Sequence, residues 1–479
     1  MGLRLMRTSS AVLFLLAVLI SGCAREKIGN TQHVAAIQKI VSSSPSWVEH
    51  GKLGAKLWDS EGAFYQSRGN LPAWIDGDRR TPELDALIEE LRHAGDHGLD
   101  PARYGTGEFQ KAIQVADVNK GTFDLGGVPE LDAHLTYAFL RYAADLLGWS
   151  GSPKAIYAQW VVKPKQEDLA ALLNQAVSSH EVRRTLQDLA PMHQQYKGLQ
   201  AALANERKAP TGHLDQIRMN LERWRWMPRE LGDRYILVNV PAYQMQVMEG
   251  EKPALAMRVI VGQPKNPTPL FSDEMTNIVF SPTWNIPESI IRNEMVPHQV
   301  NDSSYLERHD IEVVGTSGDA VDLESVDWAD EQAVDGLHFR QAPGPQNALG
   351  FVKFMFPNEF DVYLHDTPSR SLFNKRSRAL SHGCIRIENP VALAQYLMRD
   401  RPEWTAERIS DAMSGEREQA VSLKEHLPVH IGYWTAWVNA DGSVTYTDDP
   451  YQLDEKQAAV EHLSLSPVAK TAAALVPRE

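Results

Sequence analysis

The spacing of apolar residues changes once along the chain, close to Pro228. Before this point apolar residues recur every three or four positions, as on a helix that buries one face. After it they alternate with polar residues, as on a strand with one buried face. A chain of 479 residues is also too long for one ordinary core. The pattern therefore predicts an α+β protein with a mainly helical N-terminal domain and a β-rich C-terminal domain.

The helical region, residues 31–203, is predicted to be a scaffold domain. In "TPELDALIEELRHAG", Thr81 is placed to cap a helix and Pro82 suits its first turn. "LDAHLTYAFLRYAADLLGW" repeats the helical period and stops at Gly148. A short polar stretch, "ANERKAPTGH", then separates the domain from a connecting helix predicted over 213–228.

The β-rich region, residues 233–450, is interrupted by a charged insertion at about 289–344. The strands before the insertion turn near Gly250, and a final strand pair turns at "NADG". A loop as long as the insertion is usually functional, for instance a lid, or disordered. Residues 460–479 are predicted to be a loose C-terminal tail.

The composition excludes some classes of partner. Apolar residues make up 43% and charged residues 23% of the chain, as in ordinary globular proteins. The net charge of −14 argues against a nucleic acid or an anionic membrane surface as the main partner. A soluble body that meets its substrate through a local site is expected.

Residues 1–22 have the pattern of a bacterial signal peptide that ends at a lipoprotein cleavage site. Arg4 and Arg7 precede the apolar core "AVLFLLAVLI", which is too short to span a bilayer comfortably. The core leads into "ISGC", a pattern that favours lipidation of Cys23 over an incidental cysteine in an ordinary signal peptide. Ala24 rather than aspartate at the next position resembles bacterial lipoproteins of the outer membrane. We therefore expect a periplasmic protein that an N-terminal lipid anchors to the membrane, at the outer membrane.

The second of the two cysteines, Cys384, lies in "YLHDTPSRSLFNKRSRALSHGCIRIENP". If Cys23 carries lipid, Cys384 is a single free thiol and no disulfide can form within the chain. An unpaired thiol in an oxidising compartment is expected to be either buried or used in chemistry.

Three interpretations of Cys384 stay open from the residues alone. A buried, inert cysteine is common, but Gly383 and the polar residues before it do not suit an apolar core strand. A zinc site with His365, His382 and Cys384 lacks an evident fourth ligand, and no CxxC or HExxH motif lies nearby. A Cys–His nucleophile is favoured, because an imidazole at a strand end can draw the thiol proton and Gly383 lets backbone amides approach an oxyanion.

The segment resembles the active-site signature of the YkuD-type L,D-transpeptidases. A histidine, fifteen intervening residues and "SHGCIR" match the family pattern of Ser/Thr-His-Gly-Cys, an apolar residue, and Asn or Arg. The stretches "NLERWRWMP", "FSPTWNIPESI", "PGPQNALGFVKFMFP" and "LPVHIGYWTAWV" resemble the YcbB-like subgroup of Gram-negative bacteria. So do "HGLDPARY" and "LAPMHQQYKGL", which are similar to that subgroup's scaffold domain. The resemblance covers nearly the whole chain after the signal peptide.

The resemblance implies a role for several residues. Cys384 would attack the carbonyl of the diaminopimelate–D-alanine bond in a tetrapeptide stem, release D-alanine and form a thioester. His365 would be the general base, oriented by the backbone at Asp366, and the amides of Gly383 and Cys384 would hold the oxyanion. The amine of a second stem would resolve the thioester into a 3→3 cross-link.

The substrate groove is expected to contain five further residues: Arg386, Ser381, His382, Tyr363 and Trp284. Arg386 would bind a substrate carboxylate, although a solvated surface arginine is the ordinary alternative. Tyr363 and Trp284 would wall the groove, or would belong to the core. The partners would be peptidoglycan stem peptides, and neither a cofactor nor a metal is expected.

Other activities remain compatible with the same signature. Water in place of the amine would make an L,D-carboxypeptidase, and a lysine of an envelope protein would attach that protein to the wall. A non-enzymatic scaffold that bridges outer membrane and wall is disfavoured by the intact His–Cys pair. Larger members of the subgroup also carry a small peptidoglycan-binding domain where this chain has only Ala204–His213. That domain is expected to be absent, and the lipid anchor would supply proximity instead.

Overall fold

The structure of the protein is a computed structural model, which describes residues 32–43, 45–330, 332–461 and 463. The chain divides into two units. The first contains the described residues up to Ser152, Lys163–Arg229 and Ala440–Ser443, and the second contains Pro153–Val162, Glu230–Asn439 and the described residues from Val444. Helices dominate the first unit and strands the second, which confirms the predicted α+β class.

The helices of both units are numbered in chain order. They are α1 (32–41), α2 (Lys52–Ser67), α3 (Pro82–His93), α4 (Thr106–Val118), α5 (Val128–Leu146), α6 (Pro153–Ile156), α7 (Leu169–Ser178), α8 (Val182–Asp188), α9 (Gln194–Lys208), α10 (Leu214–Arg225), α11 (Glu288–Ile290), α12 (Val296–Asn301), α13 (Tyr305–Arg308), α14 (Pro390–Met398), α15 (Ala406–Met413) and α16 (Leu453–Val460).

The strands are numbered in the same way. They are β1 (Ile75–Asp76), β2 (Arg79–Arg80), β3 (Arg234–Asn239), β4 (Gln244–Glu249), β5 (Lys252–Gly262), β6 (Phe271–Phe280), β7 (Trp284–Asn285), β8 (Ile311–Val314), β9 (His338–Gln341), β10 (Val352–Met355), β11 (Leu364–His365), β12 (Ala379–Ser381), β13 (Ile385–Ile387), β14 (Gln419–Gly432), β15 (Ala436–Val438) and β16 (Val444–Tyr446).

Helix α3 begins where the sequence predicts. The Thr81 hydroxyl accepts a hydrogen bond from the Leu84 amide at 3.3 Å, and Pro82 occupies the first turn. The apolar stripe of the helix is buried. Helix α5 is followed by Gly148, whose φ of 73° is left-handed, so the predicted stop is confirmed.

The prediction that residues 204–213 separate the helical domain from a connecting helix is wrong. Helix α9 continues to Lys208, so only residues 209–213 separate it from α10. In this turn the Glu206 carboxylate accepts hydrogen bonds from the amides of Thr211, Gly212 and His213 at 2.7, 2.7 and 2.9 Å. Helix α10 packs against α9 and belongs to the first unit, so it is part of the helical body and not a connector. Residues 153–162, predicted to lie in the scaffold, belong instead to the second unit.

A buried carboxylate organises the first unit. Asp132 on α5 is 0% exposed, and it accepts hydrogen bonds from the amides of Ala73, Trp74 and Ile75. The Tyr65 hydroxyl on α2 donates a further bond at 2.7 Å. One side chain thereby joins α2, α5 and the segment that enters β1, and it satisfies backbone donors that would otherwise be buried without partners.

The second unit is built on one nine-stranded sheet, in the order β12–β5–β13–β11–β10–β6–β14–β3–β4. Because β4 also pairs with β5, eight of these strands close into a ring, and β12 extends the pairing along β5. The pairs β11–β13, β3–β14 and β5–β12 are parallel and the others are antiparallel. Gly250, with a φ of 56°, turns β4 into β5 as predicted. Residues 429–432, predicted to open a separate C-terminal strand pair, belong to β14 inside the sheet, and β15 and β16 form the hairpin alone.

The insertion predicted at 289–344 belongs to a small subdomain that begins earlier than predicted, at β7. It contains α11 to α13, a π-helical turn at Ile291–Met295, and a three-stranded sheet in the order β7–β9–β8. Its own core consists of Ile286, Ile291, Met295, Leu306, Ile311, Val313, Val334 and Phe339. Each element is too short to show a clear helical or strand period in the sequence, so the sequence predicts only a long loop here. The sequence analysis expected either a functional loop, such as a lid, or a disordered segment. The described residues of the insertion are folded, so disorder does not apply to them.

The ends of the second unit differ from the prediction. Helix α16 packs against α6, so the unit extends past the predicted limit at 450. The predicted signal peptide 1–22, the lipidation site Cys23 and the tail from 464 onward lie outside the described residues. Within the described part of the chain, no helix combines the length and apolar character needed to cross a bilayer.

Replacing Asp132 by alanine is expected to lower the free energy of unfolding by about 3 kcal/mol or more, because three backbone amides lose a buried partner. Urea unfolding followed by circular dichroism measures this. Asp85→Ala is the matched control, since this carboxylate is 55% exposed and pairs with Arg80 at 3.6 Å. It should change stability by less than about 0.5 kcal/mol. Equal stability of Asp132→Ala and the unsubstituted protein would contradict the role of Asp132.

Candidate active site

The parallel pairing of β11 with β13 brings four predicted site residues together. His365 lies opposite Arg386 in the ladder. Since side chains two residues apart share a face of a strand, Tyr363 and Cys384 extend the same row beyond the paired positions. All four side chains line one cavity of about 1020 Å³. The cavity is also lined by the other predicted groove residues, Ser381, His382 and Trp284.

The Cys384 thiol is half-buried at the base of this cavity. Its Sγ lies 3.8 Å from the carbonyl oxygen of Asp361 and also hydrogen bonds to the Tyr363 hydroxyl. Burial raises the pKa of the thiol to about 11, while hydrogen bonds from Tyr363 and the charge of Arg386 act in the opposite direction. The resting group is therefore a protonated thiol.

The His365 ring is buried and held by the backbone. Its Nδ1 donates to the carbonyl oxygen of Asp366 at 2.6 Å, which leaves the proton off Nε2 in the neutral ring. Burial lowers the pKa of His365 to about 3, and the charge of Arg386 lowers it further, while the backbone carbonyls of Asp366 and Leu349 act in the opposite direction. Before substrate binds, burial therefore favours a neutral thiol and a neutral imidazole over a thiolate–imidazolium pair.

The loop that carries Cys384 is tied down by Ser381. This hydroxyl is buried, donates to the carbonyl oxygen of Cys384 at 2.5 Å, and accepts from the Gly383 amide at 3.2 Å. The Gly383 amide, predicted to hold an oxyanion, is therefore engaged in this structure. Gly383 has a φ of 122°, and an added Cβ would meet nothing within 4 Å. The backbone angle, not close approach of the chain, requires glycine here.

Thr268 is a residue that the sequence analysis missed. Its hydroxyl is fully buried, accepts from the Gly262 amide at 2.9 Å, and donates to the carbonyl oxygen of Gly383 at 2.7 Å. Because a trans peptide points its N–H opposite to its C=O, this bond turns the Cys384 amide away from Thr268. The threonine lies in a turn between β5 and β6, far from the motif in sequence, and no local pattern marks it.

The Arg386 guanidinium has its charge available to a ligand. Among the described residues its Nε has no hydrogen-bond partner and no carboxylate pairs with it. Burial lowers its pKa, but an arginine stays protonated at neutral pH. A half-buried cation in a cavity without a protein counter-ion suits a substrate carboxylate.

His382 contacts the inserted subdomain. Its Nε2 lies 2.5 Å from the Glu294 carboxylate, which belongs to the π-helical turn of the insertion. Both side chains line the cavity, so this contact joins the insertion to the loop that carries Cys384. Trp284 is half-buried, packs against the core of the insertion and lines the same cavity. Glu294 was missed because nothing in an irregular insertion shows which acid faces the motif.

Asp366 holds the backbone that orients the His365 imidazole. Its buried carboxylate accepts from the amides of Phe351 and Thr367 at 2.9 and 2.6 Å, and pairs with Arg370 at 2.5 Å. An added Cβ on Gly350 would lie 2.5 Å from this carboxylate, so glycine is required there by close packing. These contacts fix the peptide whose carbonyl orients His365.

The contacts of the two histidines also bear on the zinc interpretation. One ring nitrogen of His365 is committed to the backbone, and Nε2 of His382 contacts Glu294. In the described part of the chain, no group of three or more His, Cys, Asp or Glu side chains is arranged to hold a metal ion.

Two protein-family profiles match the chain. The Scaffold domain matches residues 61–203, and YkuD, the L,D-transpeptidase catalytic domain, matches residues 233–411. The second range contains every predicted residue of the cavity.

Individual proteins are similar as well. A protein of Haemophilus influenzae described as "Putative L,D-transpeptidase" is 30% identical over 322 residues, and the alignment covers 66% of this chain and 64% of that protein. Among solved structures, an L,D-transpeptidase from Mycobacterium smegmatis is 14% identical, covering 42% of this chain and 58% of that one, with a TM-score of 0.20. The Ldtfm–avibactam carbamoyl enzyme is 16% identical, covering 43% and 50%, also with a TM-score of 0.20. At these TM-scores the structural similarity carries no weight for the site.

The neutral state of Cys384 predicts its reactivity toward iodoacetamide. With a thiol pKa of about 11, the alkylation rate should rise with pH up to that value, because the thiolate is the reacting form. Mass spectrometry of the Cys384 peptide measures the rate at each pH. Arg386→Gln removes a charge that lowers this pKa, so its profile should move to higher pH. A rate that is independent of pH between 5 and 8 would reveal a preformed ion pair and contradict this account.

Proposed function

Because the chain belongs to the YkuD family of L,D-transpeptidases and carries that family's scaffold domain, we propose that it cross-links peptidoglycan stem peptides through a thioester on Cys384. The observation that carries the proposal is the single cavity that Tyr363, His365, Cys384 and Arg386 line together. A nucleophile, a base and an unpaired cation for a substrate carboxylate are the parts that acyl transfer from a peptide requires.

In the first step, the donor tetrapeptide binds with a carboxylate on Arg386 and its terminal peptide carbonyl next to Sγ. His365 takes the thiol proton as the C–S bond forms, so a free thiolate never has to exist in the buried site. The same proton passes to the departing nitrogen as the C–N bond breaks, and D-alanine leaves. The protonated Tyr363 hydroxyl, whose pKa burial raises, hydrogen bonds to the sulfur.

The developing oxyanion needs donors that are already oriented. We assign this role to the Cys384 amide, because the bond from Thr268 holds the peptide plane that contains it. The Gly383 amide would join only by leaving Ser381, to which its bond is long at 3.2 Å. The buried hydroxyls of Thr268 and Ser381 would thus contribute to the rate enhancement by positioning these amides.

In the second step, an amine of another stem attacks the thioester and gives a 3→3 cross-link. Water would give a tripeptide instead, as in an L,D-carboxypeptidase, and a protein lysine would give an attached protein. This chain spans 64% of the length of the Haemophilus relative. The choice of acceptor is therefore proposed from the site of this chain alone.

The proposal is tested by incubating the protein with purified disaccharide-tetrapeptide and separating the products by mass spectrometry. The unsubstituted protein should release D-alanine and form dimers. Cys384→Ala and His365→Ala should each lower D-alanine release by about 10⁴-fold or more, and the double variant should lose little beyond either. His338→Ala is the control, since this exposed histidine on β9 lies outside the cavity, and it should keep full activity.

The outcomes separate the alternatives. Tripeptide without dimer would make the protein a carboxypeptidase. No D-alanine release by a folded, reduced protein would contradict the enzymatic proposal, and so would activity retained in Cys384→Ala.

We further propose that the protein works in the periplasm, anchored by lipid on Cys23 at the outer membrane. Cys23→Ser should abolish incorporation of a labelled fatty acid, and the protein should either stay unprocessed at this site or move to the aqueous phase in a Triton X-114 extraction. Cys384→Ser, which leaves the predicted lipidation site intact, is the matched control and should stay in the detergent phase. Aqueous partitioning of the unsubstituted protein would contradict the anchor.

A further inference from the structure

The two acidic side chains that line the cavity differ in whether they already have a partner. The acidic side chains among its lining residues are Glu294 and Asp361. Glu294 is engaged with His382 at 2.5 Å. Asp361 is exposed, and no cation pairs with its carboxylate among the described residues. It is therefore the acid of the cavity that remains open to a positively charged ligand.

Asp361 lies directly beside the nucleophile. Its carbonyl oxygen is 3.8 Å from Sγ of Cys384, and its negative charge raises the pKa of both Tyr363 and Cys384. Lys265 and Arg386 are the lysine and arginine that line the cavity, and Arg386 lies two residues beyond Cys384 along β13. The reacting sulfur thus has an anionic neighbour and a cationic neighbour, each without a protein counter-ion in the described residues.

The position of Asp361 is fixed by a tight turn. The Asn358 side chain accepts from the amides of Phe360 and Val362 at 3.0 and 3.2 Å, and donates to the Val362 carbonyl at 2.8 Å. Asp361 itself has a left-handed φ of 52°. Asparagine and aspartate both tolerate this conformation. The backbone therefore does not explain why a charged residue stands here, and exchange for asparagine should leave the turn intact.

We propose that the Asp361 carboxylate receives the ammonium group of the acceptor, and so favours an amine over water in resolving the acyl-enzyme. This inference rests on the proposed function and assigns its second substrate. A donor stem would be held through a carboxylate on Arg386, and an acceptor through its cation on Asp361. The pairing raises the local concentration of the amine next to the thioester.

Resolution of the thioester requires the acceptor in its neutral amine form. The acceptor arrives as an ammonium ion, loses one proton to solvent and attacks as the amine. A C–N bond forms and the C–S bond breaks. The second proton of the nitrogen returns through His365 to the sulfur, which restores the Cys384 thiol and leaves an amide.

The test uses the full chain with disaccharide-tetrapeptide as donor and disaccharide-tripeptide, which keeps its free amine, as acceptor. Two quantities are measured: D-alanine released in the first turnover, and the ratio of dimer to hydrolysed tripeptide. Asp361→Asn should not lower first-turnover release, because the charge that it removes raises the pKa of the Cys384 thiol. It should lower the ratio about fivefold, the scale expected of an exposed ion pair. Added salt should lower the ratio of the unsubstituted protein toward that of the variant.

Glu359→Gln is the matched control, because this exposed acid lies two residues away and outside the cavity. It should keep both quantities unchanged. An unchanged ratio in Asp361→Asn would overturn the inference, and so would a loss of first-turnover release, which would place Asp361 in acylation. If the unsubstituted protein releases no D-alanine, the proposed function itself fails, and that result is distinct from either of these.

Discussion

The parallel pairing of β11 with β13 is the constraint on which the site depends. It sets His365 opposite Arg386 and brings Cys384 against Tyr363. Parallel neighbours require a crossover between them, and here the crossover runs through residues 366–384, with β12 leaving to pair with β5. The spacing of the sequence signature thus has a physical meaning, because it is the length of chain that carries the backbone from His365 back to Cys384.

Burial then decides the chemical state of the pair. It raises the pKa of Cys384 and lowers that of His365, and so favours the uncharged form of both groups. The polar groups around them fall into two sets. The side chains of Ser381, Thr268 and Asp366 form hydrogen bonds with backbone atoms and hold the loops in place. The charges of Arg386 and Asp361 remain open to ligands.

The sequence predicts the parts of this structure that have a local signal. The helix after Thr81, the turn at Gly250 and the grouping of Cys384 with His365 follow from capping, turn chemistry and a motif. The rest depends on contacts between distant segments. Nothing near Thr268 shows that its hydroxyl reaches Gly383, and nothing near Glu294 shows that it meets His382. The polar residues 204–213 resemble a linker, and only Glu206 bonding to the following amides reveals a helical hairpin.

The claim that Cys384 carries the acyl group is tested most directly by trapping the intermediate. The protein is mixed with disaccharide-tetrapeptide, quenched in acid within the first turnover and digested, and the adduct is located by tandem mass spectrometry. This account predicts an adduct with the mass of the donor less D-alanine on the Cys384 peptide, labile to hydroxylamine as a thioester is. An adduct on another residue, or D-alanine release without any adduct under conditions that preserve thioesters, would contradict it.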